Sequence, residues 1–251
     1  MEEIPELFPV LVGLYTFYAQ RTEYKTAQEL AEQLLTLAQR QQDPTLLLGA
    51  HSCLGAMLVW LGEFASARAH LEQGIAHLDP QRYLSLTFSG VNDPGVSCLS
   101  YAAWALWHLG HPDQALKRSH EALILAQKLS HPFLLAFALY FVTELHLCRR
   151  EGQAAQERAE QLMALSSEQG FPYWLGAGIG CRGWALAEQG RIEGGITQVV
   201  QGGARFRATG AGTGRSRGLG RLAEVYGKVG RTEEGLGLLA KALALVDKSG
   251  E

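Results

Sequence analysis

The residues of this chain that could do chemistry are few and isolated. His108 and His111 have the i, i+3 spacing of two metal ligands, with Asp113 nearby. They straddle the predicted end of a helix, however, and no third ligand is evident. The segment Gly227-Lys228-Val229 lacks both the Ser or Thr and the earlier glycine of a phosphate-binding loop. We therefore predict neither a metal site at these histidines nor a nucleotide site at this lysine.

Two other patterns have structural rather than chemical explanations. Gly176, Gly178 and Gly180 have the spacing of a dinucleotide loop, but they lie in an apolar segment that predicts a helix, so we expect close helix packing. The four cysteines, at positions 53, 98, 148 and 181, are far apart in apolar helical segments, which favours buried thiols over zinc ligands or disulfides. Paired carboxylates and Cys/His pairs cannot be placed either. We predict no catalytic site, no cofactor and no metal.

The elements that position these residues follow from a repeated turn signature, seen in Leu61-Gly62-Glu63 and Val229-Gly230-Arg231. An Ala- and Leu-rich amphipathic stretch follows each copy. The equivalent positions in the six copies are Thr22, Gly62, Gly110, Arg150, Gly190 and Gly230. They are separated by 40, 48, 40, 40 and 40 residues. A repeat of this length predicts an all-α fold, a right-handed α-solenoid of about six helix-turn-helix repeats with a period of about 40 residues.

The boundaries of the repeats follow from proline and glycine. Asp43-Pro44, Asp93-Pro94, His131-Pro132 and Phe171-Pro172 are each predicted to open the first helix of a pair, and the signature glycine to form the turn between the two helices. We predict one solenoid over residues 1–251. Its repeats are 1–42, 43–80, 93–130, 131–170, 171–210 and 211–251. The inserted loop 80–93 either adds to the binding face, or is a packed loop or an extension of the second helix.

Glycine is concentrated in the last third of the chain, where residues 170–251 hold 20 of the 29 glycines. Four of them, Gly194, Gly195, Gly202 and Gly203, fall inside a predicted helix. An interior glycine costs a helix about 1 kcal/mol relative to alanine. The fifth and sixth pairs are therefore expected either to be the least stable part of the array or to be held by a partner.

Composition is that of a soluble folded protein, with 47% hydrophobic and 19% charged residues and a net charge of −3. This charge gives no general attraction to nucleic acid or to an anionic membrane. The first residues are acidic and lack the basic region of a signal peptide. The long uncharged stretch from Pro44 to Gly62 fits the first helix of a repeat, so we predict no membrane span and a cytoplasmic protein.

Several positions carry a family resemblance. Gly55, Gly62 and Ala67 fall on the tetratricopeptide-repeat (TPR) pattern, as do Tyr226 and Gly230. The longer period and segments such as LAEVYGKVGRTEEGLGLLAKALALVDKSGE resemble the C-terminal array of large bacterial proteins. These couple a nucleotide cyclase and an AAA/STAND ATPase to TPR repeats, and similar arrays occur in MalT-like and LuxR-type regulators. The resemblance implies a sensory or regulatory module that binds an effector or partner, or contacts a neighbouring ATPase or cyclase domain.

One stripe on each first helix would line the concave surface of such an array. It predicts a partner-binding groove for a protein or peptide, formed by Ser52, Trp60, Ser100, Trp104, His108, Tyr140, Glu144, Trp184 and Glu188. Alternatively, the large aromatic residues fill gaps between stacked helices. A small-molecule sensor with a closed pocket near Trp104, Tyr140 and Trp184 is a third interpretation.

A second surface is basic. Residues 205–231 hold seven Arg and Lys residues against Glu224 alone. Because aromatic residues are not interleaved apart from Phe206 and Tyr226, nucleic-acid binding is not favoured. A solvated surface, or contact with a neighbouring domain, explains the segment better. We predict a non-catalytic protein-interaction and regulatory module, with effector sensing as the alternative.

Overall fold

The computed structural model describes residues 4–78 and 93–250, and the regular structure in these two ranges is entirely α-helical. The predicted all-α class is confirmed. The helices in the described ranges are α1 (Ile4–Gln20), α2 (Tyr24–Gln41), α3 (Pro44–Trp60), α4 (Phe64–Ala76), α5 (Pro94–His108), α6 (Pro112–Leu129), α7 (Pro132–Cys148), α8 (Gly152–Glu168), α9 (Pro172–Glu188), α10 (Ile192–Ala208), α11 (Arg215–Lys228) and α12 (Thr232–Ser249).

The first helices start where the Pro-containing dipeptides predict. Asp43 Oδ1 accepts hydrogen bonds from the backbone N–H of Thr45 at 2.7 Å and of Leu46 at 3.2 Å. Asp93 does the same for Val96 at 2.8 Å, and its side chain is buried. Each aspartate satisfies amides that have no partner inside the helix, and the following proline needs no hydrogen bond there. Asp93 is the last residue of the predicted inserted loop 80–93. The other residues of this loop, 80–92, lie outside the described ranges.

The turn between the two helices of each pair has one geometry. All six signature positions have positive φ: the glycines lie between 76° and 85°, and Thr22 and Arg150 at 62° and 61°. The next residue donates its N–H to a carbonyl five residues back, as Glu63 does to Leu58 at 2.9 Å and Glu151 to His146 at 3.0 Å. This is the helix-ending motif for which glycine is best suited. The positions that the sequence aligned are therefore equivalent in conformation.

Small residues lie where the two helices of a pair cross. A Cβ atom on Gly55 of α3 would come within 2.5 Å of the Leu71 side chain of α4. In the fifth pair, a Cβ atom on Gly195 of α10 would lie 2.6 Å from the carbonyl of Gly183 on α9. Glycines that the sequence analysis considered only as a cost to the helix therefore allow α9 and α10 to pack backbone against backbone. The predicted close packing is confirmed in the same way for Gly176 and Gly178, whereas a Cβ atom on Gly180 would meet nothing within 4 Å.

The chain divides into two compact units, residues 1–138 and 139–251, with the boundary inside α7. The core of unit 1 includes the fully buried residues Leu34, Leu48 and Leu106. In unit 2, Ala155, Ala159, Ile196 and Val225 pack around Trp184, among others. The assignment of the whole chain to one solenoid stays a prediction. Within the described ranges, no helix is both long enough and apolar enough to cross a membrane.

Candidate functional site

Three first helices of unit 2 each contribute side chains to one polar cluster. Helix α7 provides an aromatic residue and an acid, α9 a thiol and an indole, and α11 two arginines one helical turn apart. In each helix the two residues are three or four positions apart, so that they share a face. We call this group the Glu144 cluster; it comprises Tyr140, Glu144, Cys181, Trp184, Arg217 and Arg221.

Glu144 is at the centre of the cluster and is only 1% exposed. Its Oε1 atom accepts a 2.6 Å hydrogen bond from Arg221 Nη1 and a 3.1 Å hydrogen bond from Cys181 Sγ. The Oε2 atom lies 3.2 Å from Arg217 Nη1. The other terminal nitrogen of Arg217, Nη2, donates a hydrogen bond to the Tyr140 hydroxyl. That 3.2 Å contact is an ion pair without hydrogen-bond alignment, because Oε2 has no hydrogen-bond donor among the described residues. A buried carboxylate is tolerated here because two guanidinium groups compensate its charge.

The ionisation of the cluster follows from the same contacts. Burial by itself would raise the pKa of Glu144, but Arg217 and Arg221 outweigh it and lower the pKa to about 2. Burial raises the pKa of the Cys181 thiol well above its usual range, and the negative charge of Glu144 adds to this effect. Burial also raises the pKa of Tyr140. At neutral pH the cluster therefore holds one carboxylate, two guanidinium ions, a neutral thiol and a neutral phenol.

Trp184 connects this cluster to a second set of charges. The Arg221 guanidinium lies 4.3 Å from the centre of the Trp184 ring and that of Arg150 lies 5.6 Å away, both in cation–π contact. Trp184 is 5% exposed, and its indole N–H has no acceptor among the described residues. A buried donor without an acceptor carries a free-energy cost, which an incoming acceptor would remove.

The second set of charges balances itself. Arg150 lies 2.8 Å from Glu188 and 2.6 Å from Glu224, and Lys228 contacts the same two carboxylates. Two cations thus face two anions. Glu188, predicted as an acidic spot in the groove, is half-buried in this network rather than directed alone towards solvent.

A cavity of about 300 Å³ opens beside the Glu144 cluster. Its walls come from α7, α9, α10, α11 and α12 and from the loop before α11. Apolar walls include Trp184, Phe206, Leu219 and Leu222. Glycines leave part of the space open, since a Cβ atom on Gly180 would meet nothing within 4 Å. The volume is at the lower end of those found for small-molecule sites.

In unit 1, the other predicted site residues either make aromatic contacts or are buried serines. Trp60 donates its indole N–H to the Tyr101 hydroxyl at 3.2 Å, and its ring lies edge-on to that of Trp104 with 5.6 Å between centres. Trp104 is 6% exposed, as the core interpretation expects, while Trp60 is half-buried. Ser52 and Ser100 are buried, and the exposed residue His108 stacks on Phe64 at 4.2 Å. Partner binding by these five predicted residues, Ser52, Trp60, Ser100, Trp104 and His108, stays a prediction.

Similarity to known proteins is structural. No protein-family model matches the chain, and no curated protein is significantly similar in sequence. Among solved structures, a Rap protein in complex with Competence and Sporulation Factor matches with a TM-score of 0.69, 11% identity, and coverage of 94% of this chain and 73% of that chain. The apo form of RapI gives 0.66, with 9% identity and coverage of 96% and 99%. A thermophilic TPR protein of Thermus thermophilus gives 0.51, with 20% identity and coverage of 78% and 89%.

The fold is that of TPR-like repeats. The predicted α-solenoid class, made of helix-turn-helix repeats, is thereby confirmed. Because all these identities are below 25%, the similarity establishes the fold of the TPR-like repeats alone.

The TPR-like arrangement gives the basic segment 205–231 an organisation that the sequence analysis missed. Arg217 and Arg221 pair with Glu144, whereas the prediction favoured a solvated surface or a neighbouring domain for them. Arg231 pairs locally with Glu234. One signal was available: Glu144 is the only acid in α7, a helix otherwise composed of apolar, histidine and threonine residues. An acid buried in such a helix requires a cation from elsewhere in the chain.

Proposed function

We propose that this chain is a non-catalytic recognition and regulatory module, whose TPR-like first helices bind a protein or peptide partner. One observation carries the proposal: α7, α9 and α11 bring Tyr140, Glu144, Trp184 and two arginines together beside an open cavity. Aromatic and arginine side chains at a concave site are the residues that most often anchor partners. The similar Rap structure, solved in complex with Competence and Sporulation Factor, supports a binding role.

The predicted groove residues enter the proposal to different degrees. Tyr140, Glu144 and Trp184 line the cavity, and Glu188 lies in the adjoining charge network. In unit 1, Trp60 and His108 retain accessible surface for a partner. Trp104 and the two serines, Ser52 and Ser100, would act by supporting these side chains, because they are buried.

The regulatory part of the proposal rests on the resemblance to cyclase–ATPase fusions and MalT-like regulators. We propose a cytoplasmic bacterial signalling protein in which this array adjoins an ATPase or cyclase domain. Partner binding would then alter the contact between the array and that domain. Such coupling requires that the partner bind one arrangement of the array more tightly than another.

The cavity favours a second candidate function, the sensing of a small-molecule effector. At about 300 Å³, it can hold a small ligand or a single side chain but not a folded partner. In this case the ligand would stabilise unit 2 and thereby control the attached domain.

The proposal can be tested by selecting peptides from a displayed random library against the immobilised chain. Selected peptides would be measured by fluorescence anisotropy against wild type, Arg207→Glu/Arg215→Glu at the exposed rim of the cavity, and Arg205→Glu, an exposed arginine outside it. We expect at least a tenfold loss of affinity for the double variant and no change for Arg205→Glu. Failure to enrich any peptide, or equal binding by all three proteins, would contradict peptide recognition at this site.

A further inference from the structure

The charge of the unit 2 cavity is not balanced. Within the described part of unit 2, the charged residues that line it are Arg207, Arg215, Arg217, Arg221 and Glu144, a formal excess of three positive charges. The two inner arginines share the single carboxylate of Glu144, so that these three lining residues carry a formal charge of +1. An excess of positive charge around a cavity favours an anionic ligand.

A second, independent observation points to the same kind of ligand. Trp184 lines the cavity, is 5% exposed, and has an indole N–H without an acceptor among the described residues. The remaining walls are mainly apolar and include Phe206, Leu219 and Leu222. A ligand that fits must therefore offer an anionic acceptor at one end and a small apolar body at the other.

We propose that this cavity binds a carboxylate joined to a small apolar group, with the carboxylate at Arg217 and Arg221 and the apolar part against Phe206 and Leu222. A carboxylate carries a negative charge that offsets part of the formal positive excess of the described lining residues. Its planar oxygens match the fork of a guanidinium group. An amine would add to the positive excess, and a neutral alcohol would leave the excess in place.

Two sources provide this chemistry: a free medium-chain or aromatic acid, and the C-terminal residue of a peptide with an apolar side chain. The carboxylate site rests on the proposed function, because both place ligand recognition at the cavity of unit 2. The space of about 300 Å³ corresponds to roughly ten water molecules, enough for a short chain of about eight carbons.

The head-group requirement is tested with three ligands of one length, octanoate, octylamine and octanol, titrated into the full chain by isothermal calorimetry. We expect octanoate to bind at least tenfold more tightly than either of the others. Its affinity should also fall as salt is raised, since the attraction is partly electrostatic. Equal binding of all three, or a preference for the amine, would overturn the proposal.

The place of binding is tested by filling the cavity. Gly180→Leu puts a side chain into open space at the cavity wall, and Gly194→Leu does so at an exposed site in the same helix pair outside the cavity. We expect Gly180→Leu to reduce octanoate affinity at least tenfold and Gly194→Leu to leave it unchanged. If Gly180→Leu fails to fold, as judged by circular dichroism, Leu222→Ala at the apolar wall replaces it, with Leu239→Ala at an exposed position outside the cavity as control. Octanoate binding unaffected by the cavity variant overturns the site.

The source is distinguished by the dipeptide acetyl-Leu-Phe with a free or an amidated C-terminus. Tighter binding of the free acid, abolished by Gly180→Leu, assigns the site to peptide ends and supports both proposals. Binding of octanoate without any dipeptide or library peptide supports the cavity proposal and contradicts the peptide role. If library peptides bind Gly180→Leu as tightly as wild type, and bind as tightly with an amidated C-terminus as with a free one, the peptide role is supported and the carboxylate cavity is overturned.

Discussion

Glu144 of α7 accepts a 2.6 Å hydrogen bond from Arg221 of α11, a residue 77 positions further along the chain. The pair links the first helices of two non-adjacent repeats in unit 2. Cys181 of α9, the first helix of the repeat between them, donates to the same carboxylate oxygen. A repeat array is held mainly by contacts between neighbours, so this link adds a connection that the repeat pattern by itself does not supply.

Removing the central charge should destabilise unit 2. Glu144→Gln leaves Arg217 and Arg221 without their buried counter-charge, and breaking a buried pair in this way costs about 3 kcal/mol. Urea unfolding followed by circular dichroism measures the loss. The control Glu160→Gln removes an exposed partner of Arg182 and should change the free energy of unfolding by less than about 1 kcal/mol. Equal effects of the two substitutions would contradict a structural role for the Glu144 cluster.

Alanine substitutions at two glycines of the fifth pair should change the stability of the protein in opposite directions. A Cβ atom on Gly202 would lie 2.4 Å from the backbone nitrogen of Gly180, so Gly202→Ala must push α9 and α10 apart and cost about 2 kcal/mol or more. Gly194 is exposed with open space around it, so Gly194→Ala should stabilise the protein by up to about 1 kcal/mol. Thermal unfolding of the two variants checks both signs. Stabilisation by Gly202→Ala would rule out the backbone contact.

Acid should weaken unit 1 through a histidine group. His51 is 5% exposed, and its Nδ1 atom lies 3.1 Å from that of His70. Burial, followed by the charges of His70 and His77, lowers the pKa of His51 from 6.5 to about 4. Between these values the unfolded chain binds more protons than the folded one. Stability is therefore complete above about pH 6.5 and falls on acidification towards pH 4, by at most about 1.4 kcal/mol per pH unit for this group.

This pH dependence is measured by urea unfolding at intervals from pH 7.5 to 4. His51→Asn should flatten the curve in that window, whatever its effect on stability at pH 7.5. The same substitution at the exposed residue His131 serves as the matched control. An unchanged slope in His51→Asn would show that other groups cause the acid sensitivity.

A residue with strained backbone should benefit from glycine. Gln42 ends α2 with φ of 54°, in the left-handed region that costs residues with a Cβ atom about 1 kcal/mol. Gln42→Gly should therefore stabilise unit 1, although it loses a hydrogen bond to the Gln39 carbonyl. The neighbouring helical position provides the matched control, because Gln41→Gly should destabilise by up to about 1 kcal/mol. Chemical unfolding that shows the same sign for both would contradict the assignment.

Local chemistry made the helix boundaries predictable. Asp43 and Pro44 start α3, because Asp43 binds free backbone amides and Pro44 has none. Gly62 follows the end of α3, because the turn there requires a positive φ that glycine adopts easily. These effects act over three or four residues, so they can be read from the sequence. The 40-residue spacing also places Arg150 at the position of the signature glycines, and its positive φ agrees with this equivalence.

The repeated helix pair follows from residue types alone, because its caps and turns depend on near neighbours along the chain. The tertiary structure alone decided that Arg217 and Arg221 leave the basic surface to neutralise Glu144, and that the glycines of α9 and α10 serve a close crossing beside a cavity. The pairing of Glu144 with Arg221, 77 residues away, depends on how the helices pack. Because Glu144 is buried, its charge would be unfavourable without such a partner. Neither is encoded in any local pattern.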